Sequence, residues 1–148
     1  MRKNIFNAHF LHLFQYHSYT YNKEESKNIF TVSGATHVYS ESPSYISVNL
    51  AFLIAIVQPL GLESIWIKTK VTFENEVVFT SLEQIKKSPT LVRINKMKNK
   101  EVEKWPKVIP VKFPTTGCGF YEIDLYADVK KDASFDKCHM KTVVMYVD

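Results

Sequence analysis

From Gly119 the chain runs Gly-Phe-Tyr-Glu-Ile-Asp-Leu-Tyr-Ala, and its apolar side chains fall on alternate positions: Tyr121, Ile123, Leu125 and Ala127. A period of two is the signature of an extended strand. One face of this segment therefore enters a core, while Glu122, Asp124 and Asp128 take the other. A chain built around such a strand needs sheet neighbours, and the remaining sequence supplies them.

Tyr45–Val57 alternates at first and then turns continuously apolar, as expected of a strand covered on both faces. Pro59 and Gly61 end it. Ile65, Ile67, Thr69, Val71 and Phe73 form one face of the next strand, with Trp66, Lys68, Lys70 and Thr72 on the other. Glu74-Asn75-Glu76 turns the chain into Val77-Val78-Phe79, which makes a hairpin. Ile29–Tyr39 reads as a strand pair or a bent strand with Gly34 at a bulge, and Pro43 marks a turn. Leu91–Ile94 is a short strand, Val108–Phe113 is another, and Met140–Val147 closes the fold. Pro106, Pro110 and Pro114 predict that Val108–Phe113 lies at a sheet edge. Ser81-Leu82-Glu83-Gln84 has capping-box spacing and predicts a helix over Leu82–Lys87, stopped by Pro89. Lys96–Lys104 reads as a charged, solvated connection. Ile5–Tyr16 fits helical spacing through Phe6, Phe10, Leu13 and Phe14, and strand spacing through Phe6, Ala8, Phe10 and Phe14.

The order of these signals is similar to that of a family of small bacterial single-domain proteins of unknown function. The matching pieces are Ala8–Phe14, Ile29–Tyr39 with Gly34, Pro43, Ile46–Ile56, Ile65–Phe79, Val108–Phe113, Gly119–Ala127 and Val143–Val147. The resemblance implies a β-sandwich, tips Ile5–Tyr16 towards strand and brings no catalytic residues; the Leu82–Lys104 segment departs from its pattern. The Gly119-Phe120-Tyr121 opening also resembles immunoglobulin-like sandwiches, where a tyrosine at the start of the penultimate strand bonds back to the connecting loop. The expected fold is all-β: an immunoglobulin-like antiparallel β-sandwich of about seven or eight strands with one short helical insertion. With 148 residues, the chain is expected to be a single domain able to bury a real core.

The two cysteines constrain the closing hairpin. If Asp128 lies opposite Cys138, Cys118 sits ten residues further along its strand, roughly 33 Å away. A disulfide needs Cα atoms within about 7 Å. Both thiols are therefore expected free, which suits a reducing compartment. Asn4, Asn7, His9 and His12 interrupt any apolar run near the start, unlike a secretory signal. The longest apolar run, Leu50–Val57, has eight residues, against about 20 for a membrane-spanning helix. The expected location is cytoplasmic, with no membrane partner.

Chemistry-bearing groups are sparse. His9, His12 and His17 have spacings that suit zinc poorly on either a helix or a strand. Cys118 between two glycines invites a nucleophile reading with His139 as base, but the expected hairpin puts His139 at the opposite end. Asp128, Asp132 and Asp136 gather acid in one loop, yet Lys130, Lys131 and Lys137 share it and no glycine supplies a calcium-loop turn. The chain has no Gly-rich phosphate loop and no Cys-x-x-Cys pair. No catalytic, cofactor-binding or metal-binding residue is assigned, and no enzymatic activity is expected.

The formal net charge of +4 is uneven: residues 66–112 carry eleven basic and five acidic groups. Lys68 and Lys70 share a strand face with Trp66, and Lys86, Lys87, Arg93, Lys96 and Lys98 follow. Such a segment can bind nucleic acid through phosphates and stacking. Seventeen of the nineteen basic residues are lysine, whereas base readers lean on arginine's planar fork. The preferred expectation is a non-enzymatic module that contacts a protein partner through an edge strand or end loops. Its candidate contact residues are Trp66, Trp105, Val108, Val111 and Phe113.

Overall fold

Alternating burial and two-residue turns dictate the architecture. The computed structural model describes residues 6–16, 18–22, 27–31, 37–39, 45–88 and 92–147. Eleven strands run through them: β1 (Ala8–Tyr16), β2 (Ser18–Asn22), β3 (Lys27–Thr31), β4 (His37–Tyr39), β5 (Tyr45–Val57), β6 (Ser64–Phe73), β7 (Glu76–Lys86), β8 (Arg93–Met97), β9 (Lys100–Pro114), β10 (Gly119–Asp128) and β11 (His139–Val147). Eight antiparallel strands form two sheets, ordered β1-β5-β9-β8 and β11-β10-β6-β7. Three residues of β4 extend the second sheet in parallel alongside β11, while β2 and β3 form a separate hairpin.

The fold is an all-β sandwich. Residues of alternate parity face inward: Leu50, Phe52 and Ile54 from β5, Trp105, Ile109 and Phe113 from β9, Ile65, Ile67 and Val71 from β6, and Tyr121, Ile123 and Leu125 from β10. All belong to one buried cluster. At β10 the Tyr121 hydroxyl donates to the Gly117 carbonyl at 2.6 Å and accepts from the Thr116 and Gly117 amides at 3.0 and 3.2 Å. Its ring stacks on Phe73 at 4.4 Å. Phe73 in turn explains Gly119, where a Cβ would meet the Phe73 ring at 2.9 Å. The residue spacing that made this segment legible thus anchors a loop and a core stack together.

Several expectations are corrected. Residues 82–87 are not helical, and no helix occurs among the described residues. Ser81–Lys86 belong to β7, paired from Thr69 to Ser64 of β6. The continuous ladder, with Ile85 buried, outweighs a local capping preference worth about 1 kcal/mol. Lys96–Lys104 is likewise not a connection: it contains the end of β8, a turn and the start of β9. Lys98 and Asn99 both take positive φ, 47° and 67°, the pattern of a tight two-residue hairpin turn. Within the segment Ile5–Tyr16, Ala8–Tyr16 forms β1, with a bulge between Phe10 and His12; Ile5 lies outside the described residues. Gly34, Pro43 and Pro89 lie outside the described residues.

The β10–β11 register differs by one residue from the expectation. Tyr126 lies opposite His139 and Gly119 opposite Tyr146; the Ala127 amide donates to the Cys138 carbonyl at 3.0 Å. Cys138 therefore faces Ala127, not Asp128. Cys118 still lies at the other end of the hairpin, and neither cysteine is in a disulfide.

Candidate binding surface

The second sheet carries an outer face and, at β7, an edge that no strand pairs with among the described residues. Along β6 the outward residues Trp66, Lys68 and Lys70 alternate with buried Ile65, Ile67 and Thr69. Opposite Lys68 and Lys70, β10 presents Tyr126 and Asp124; opposite those, β11 presents His139 and Lys141. Gln84 and Leu82 of β7 lie beside Trp66 and Lys68.

At the centre of this face Asp124 is only 5% exposed although it points away from the core. His139 Nε2 donates to its carboxylate at 2.6 Å, and the Lys141 ammonium lies 4.0 Å away. The His139 ring stacks on Tyr126 at 4.6 Å with a 17° interplanar angle. Lys70, from the strand on the other side of β10, sits 5.7 Å from the Tyr126 centroid. Both faces of Tyr126 are therefore covered. Lys131 sits over one face of the Trp66 ring, 5.8 Å from its centroid. The Tyr126 ring, wedged between His139 and Lys70, offers no open platform to a nucleobase.

The edges can be read from single bonds. In an antiparallel strand the N–H and C=O of one residue point to the same side, and successive residues alternate. The Lys87 amide donates to the Glu63 carbonyl at 2.8 Å, so odd residues of β7 after its bulge bond to β6. Thr80, Leu82, Gln84 and Lys86 then turn their backbone groups outward, where no strand pairs with β7 among the described residues. On β9, the Glu101 carbonyl accepts from Gln58 of the chain leaving β5. Odd residues of β9 therefore face β5 and even ones face away. Among the described residues β8 pairs only with Lys100–Lys104, so Pro106, Val108, Pro110, Lys112 and Pro114 line an edge that no described strand pairs with. The expectation that Val108–Phe113 lies at an edge holds along that one side.

A buried lock joins the two edges. Glu103 is 3% exposed; its carboxylate accepts from Lys87 at 2.8 Å and from Trp105 Nε1 at 3.1 Å. That hydrogen bond holds the Lys87 pKa above its usual value, against the cost of burial. The Lys107 ammonium caps the Lys86 carbonyl, and burial lowers its pKa.

The candidate residues are dispersed by this geometry. Trp105, Val111 and Phe113 are 0%, 4% and 0% exposed. They point into the core because odd β9 positions face inward, so they form no contact surface. Val108, at 41%, is exposed, and Trp66 is half-buried on the outer face. Lys68, Lys70 and Lys86 share that face with Trp66. Lys87 is committed to Glu103, while Lys96 and Lys98 sit at the β8–β9 hairpin of the other sheet; the side chain of Arg93 lies outside the described set. The lysine-rich segment is thus split between two sheets.

His139 and Asp124 are the pair that sequence reasoning missed. A register shifted by one residue turned His139 inward and parted it from Asp124. Cys118 and His139 are not brought together. Burial pushes the Cys138 thiol up to about 11. His9 bonds to Asn7 at 3.1 Å, and His17 lies outside the described residues. Among the described residues no group of three or more His, Cys, Asp or Glu is placed to hold a metal. An open cleft of about 1050 Å³ at one end is walled by Phe6, Ile56, Pro59, Leu60 and Val129, with Lys130 and Lys137 beside them. No helix among the described residues is long and apolar enough to cross a membrane. No family model matches the chain, and no curated protein resembles it significantly.

Proposed function

We propose that this protein is a non-enzymatic binding module that receives an extended segment of a partner protein along the free edge of β7. One observation carries the reading. Thr80, Leu82 and Gln84 present consecutive outward backbone groups with no proline among them and no neighbouring strand among the described residues. An extended peptide satisfies such an edge by main-chain hydrogen bonds, and flanking side chains set specificity. Leu82, 37% exposed, and the adjacent Trp66–Lys68 face supply those side chains. The strand order, with a tyrosine-anchored penultimate strand, supports an immunoglobulin-like arrangement for the sandwich.

The nucleic-acid reading draws on Lys68, Lys70 and Lys86 beside Trp66. It is weakened by the covered Tyr126 ring and by Asp124 at the centre of the face. The test is affinity capture with wild type, Leu82→Pro and Val108→Pro at moderate salt. Loss of one defined protein partner only with Leu82→Pro supports the β7 edge. Equal capture by all three removes it, and recovery of salt-sensitive nucleic acid supports the alternative.

A further inference from the structure

The usable part of the β7 edge is bounded at both ends. At its start the ladder with β6 shifts register between Val71 and Thr72, leaving Val78 as the extra residue between Val77 and Phe79. At its end the Lys86 carbonyl is occupied by the Lys107 ammonium. What remains is Thr80, Leu82 and Gln84, a stretch symmetric about Leu82.

We propose that the strand this edge receives is β7 of a second copy of the chain, paired antiparallel across a two-fold axis at Leu82. This rests on the edge reading above and names its occupant. In this register Leu82 meets Leu82, and Thr80 meets Gln84 on both sides of the axis. Each such pair exchanges two backbone bonds, about six in all. On the inward side Phe79 lies opposite Ile85, joining two partly or wholly buried apolar residues. Glu83 falls opposite Ser81.

The neighbouring registers are poorer. Moving the axis to Glu83 sets two carboxylates directly opposite each other, which is destabilising. Moving it to Ser81 drives Gln84 onto the Val78 bulge and Phe79 against Glu83. Of these three registers, only the Leu82 axis covers the exposed leucine with an apolar partner. A self-complementary patch of this kind closes as a dimer and cannot propagate through the same edge. The product is a sheet continuous across both copies, with the Trp66–Lys68 faces on one side.

Sedimentation of the full chain from micromolar to near-millimolar concentration tests this. The expected result is a monomer–dimer equilibrium that Leu82→Pro abolishes. Because proline could perturb folding, Leu82→Lys and Leu82→Glu provide a second arm. Each alone is expected to stay monomeric, with like charges on the axis, and a mixture of the two is expected to dimerise. A wild type that remains monomeric throughout overturns self-pairing. So does a dimer that survives Leu82→Pro, or a charge-paired mixture that fails to associate. If wild type is monomeric yet Leu82→Pro still loses a protein partner on capture, the edge reading stands and only its occupant changes.

Discussion

The edges of β7 and β9 left unpaired among the described residues are made from the same backbone and treated in opposite ways. On β9 the outward positions beyond β8 are Pro106, Val108, Pro110, Lys112 and Pro114, and three of these five have no N–H to offer. On β7 the outward positions Thr80, Leu82, Gln84 and Lys86 retain every donor. An incoming strand needs donors at alternate positions, so β9 is blunted and β7 is open. The prolines on β9 fall only at even positions, where their missing N–H costs the β5 ladder nothing. A sequence under no edge pressure would have no reason to place them at that four-residue interval. The contrast is what favours β7 over β9 as the receiving edge of the proposed function.

The largest expected effect comes from cutting the lock between the two edges. Glu103→Ala leaves buried Trp105 Nε1 without its acceptor and Lys87 without its partner. The expected loss is about 3 kcal/mol by denaturant unfolding, the lower end for a broken buried pair because Lys87 keeps some access to water. The pH dependence carries a definite sign. Lys87 has its folded pKa raised above 10.5, so its contribution is fully present below that value. It is lost as pH rises through the higher folded value. A Glu103→Ala chain that unfolds at the wild-type midpoint removes the lock. Next in size is the parity of β7. Ser81→Pro deletes an N–H directed at β6 and is expected to cost about 2 kcal/mol or more. A stable Ser81→Pro chain would invert the assignment of outward positions.

The parts of this molecule that were legible in the sequence are those whose two faces differ chemically. Tyr121, Ile123 and Leu125 alternate against Glu122 and Asp124, so β10 and its inward face were readable, as was β6. Two similar turns show the limit. Glu74-Asn75 and Lys98-Asn99 both use positive φ at both positions. The first was recognised because apolar alternation flanks it. The second was not, because Lys96, Lys100, Glu101 and Lys104 give no alternation of hydrophobicity. In β7 the extra residue Val78 breaks the period just before Ser81-Leu82-Glu83-Gln84, so a local capping pattern was the strongest remaining signal. The His139–Asp124 pair was hidden for a different reason. A register set by tertiary pairing, and wrong by one residue, reverses the face of every side chain on β11.

The smallest effects sharpen the comparison most, because they separate an edge that binds from an edge that merely exists. Leu82→Pro and Val108→Pro both remove an outward N–H that bonds to neither neighbouring strand in the described sheets. Leu82→Pro is expected to lower monomer stability by under about 1 kcal/mol, chiefly from lost side-chain packing. Val108→Pro adds a fourth proline to an edge already bearing three beyond β8, and the change should stay within about 0.5 kcal/mol. Nearly equal stabilities matter here because they leave association as the property that differs. If Val108→Pro instead destabilises the chain strongly, its amide is bonded within the protein. The β9 edge is then covered rather than blunted, and its prolines lose their meaning as protection.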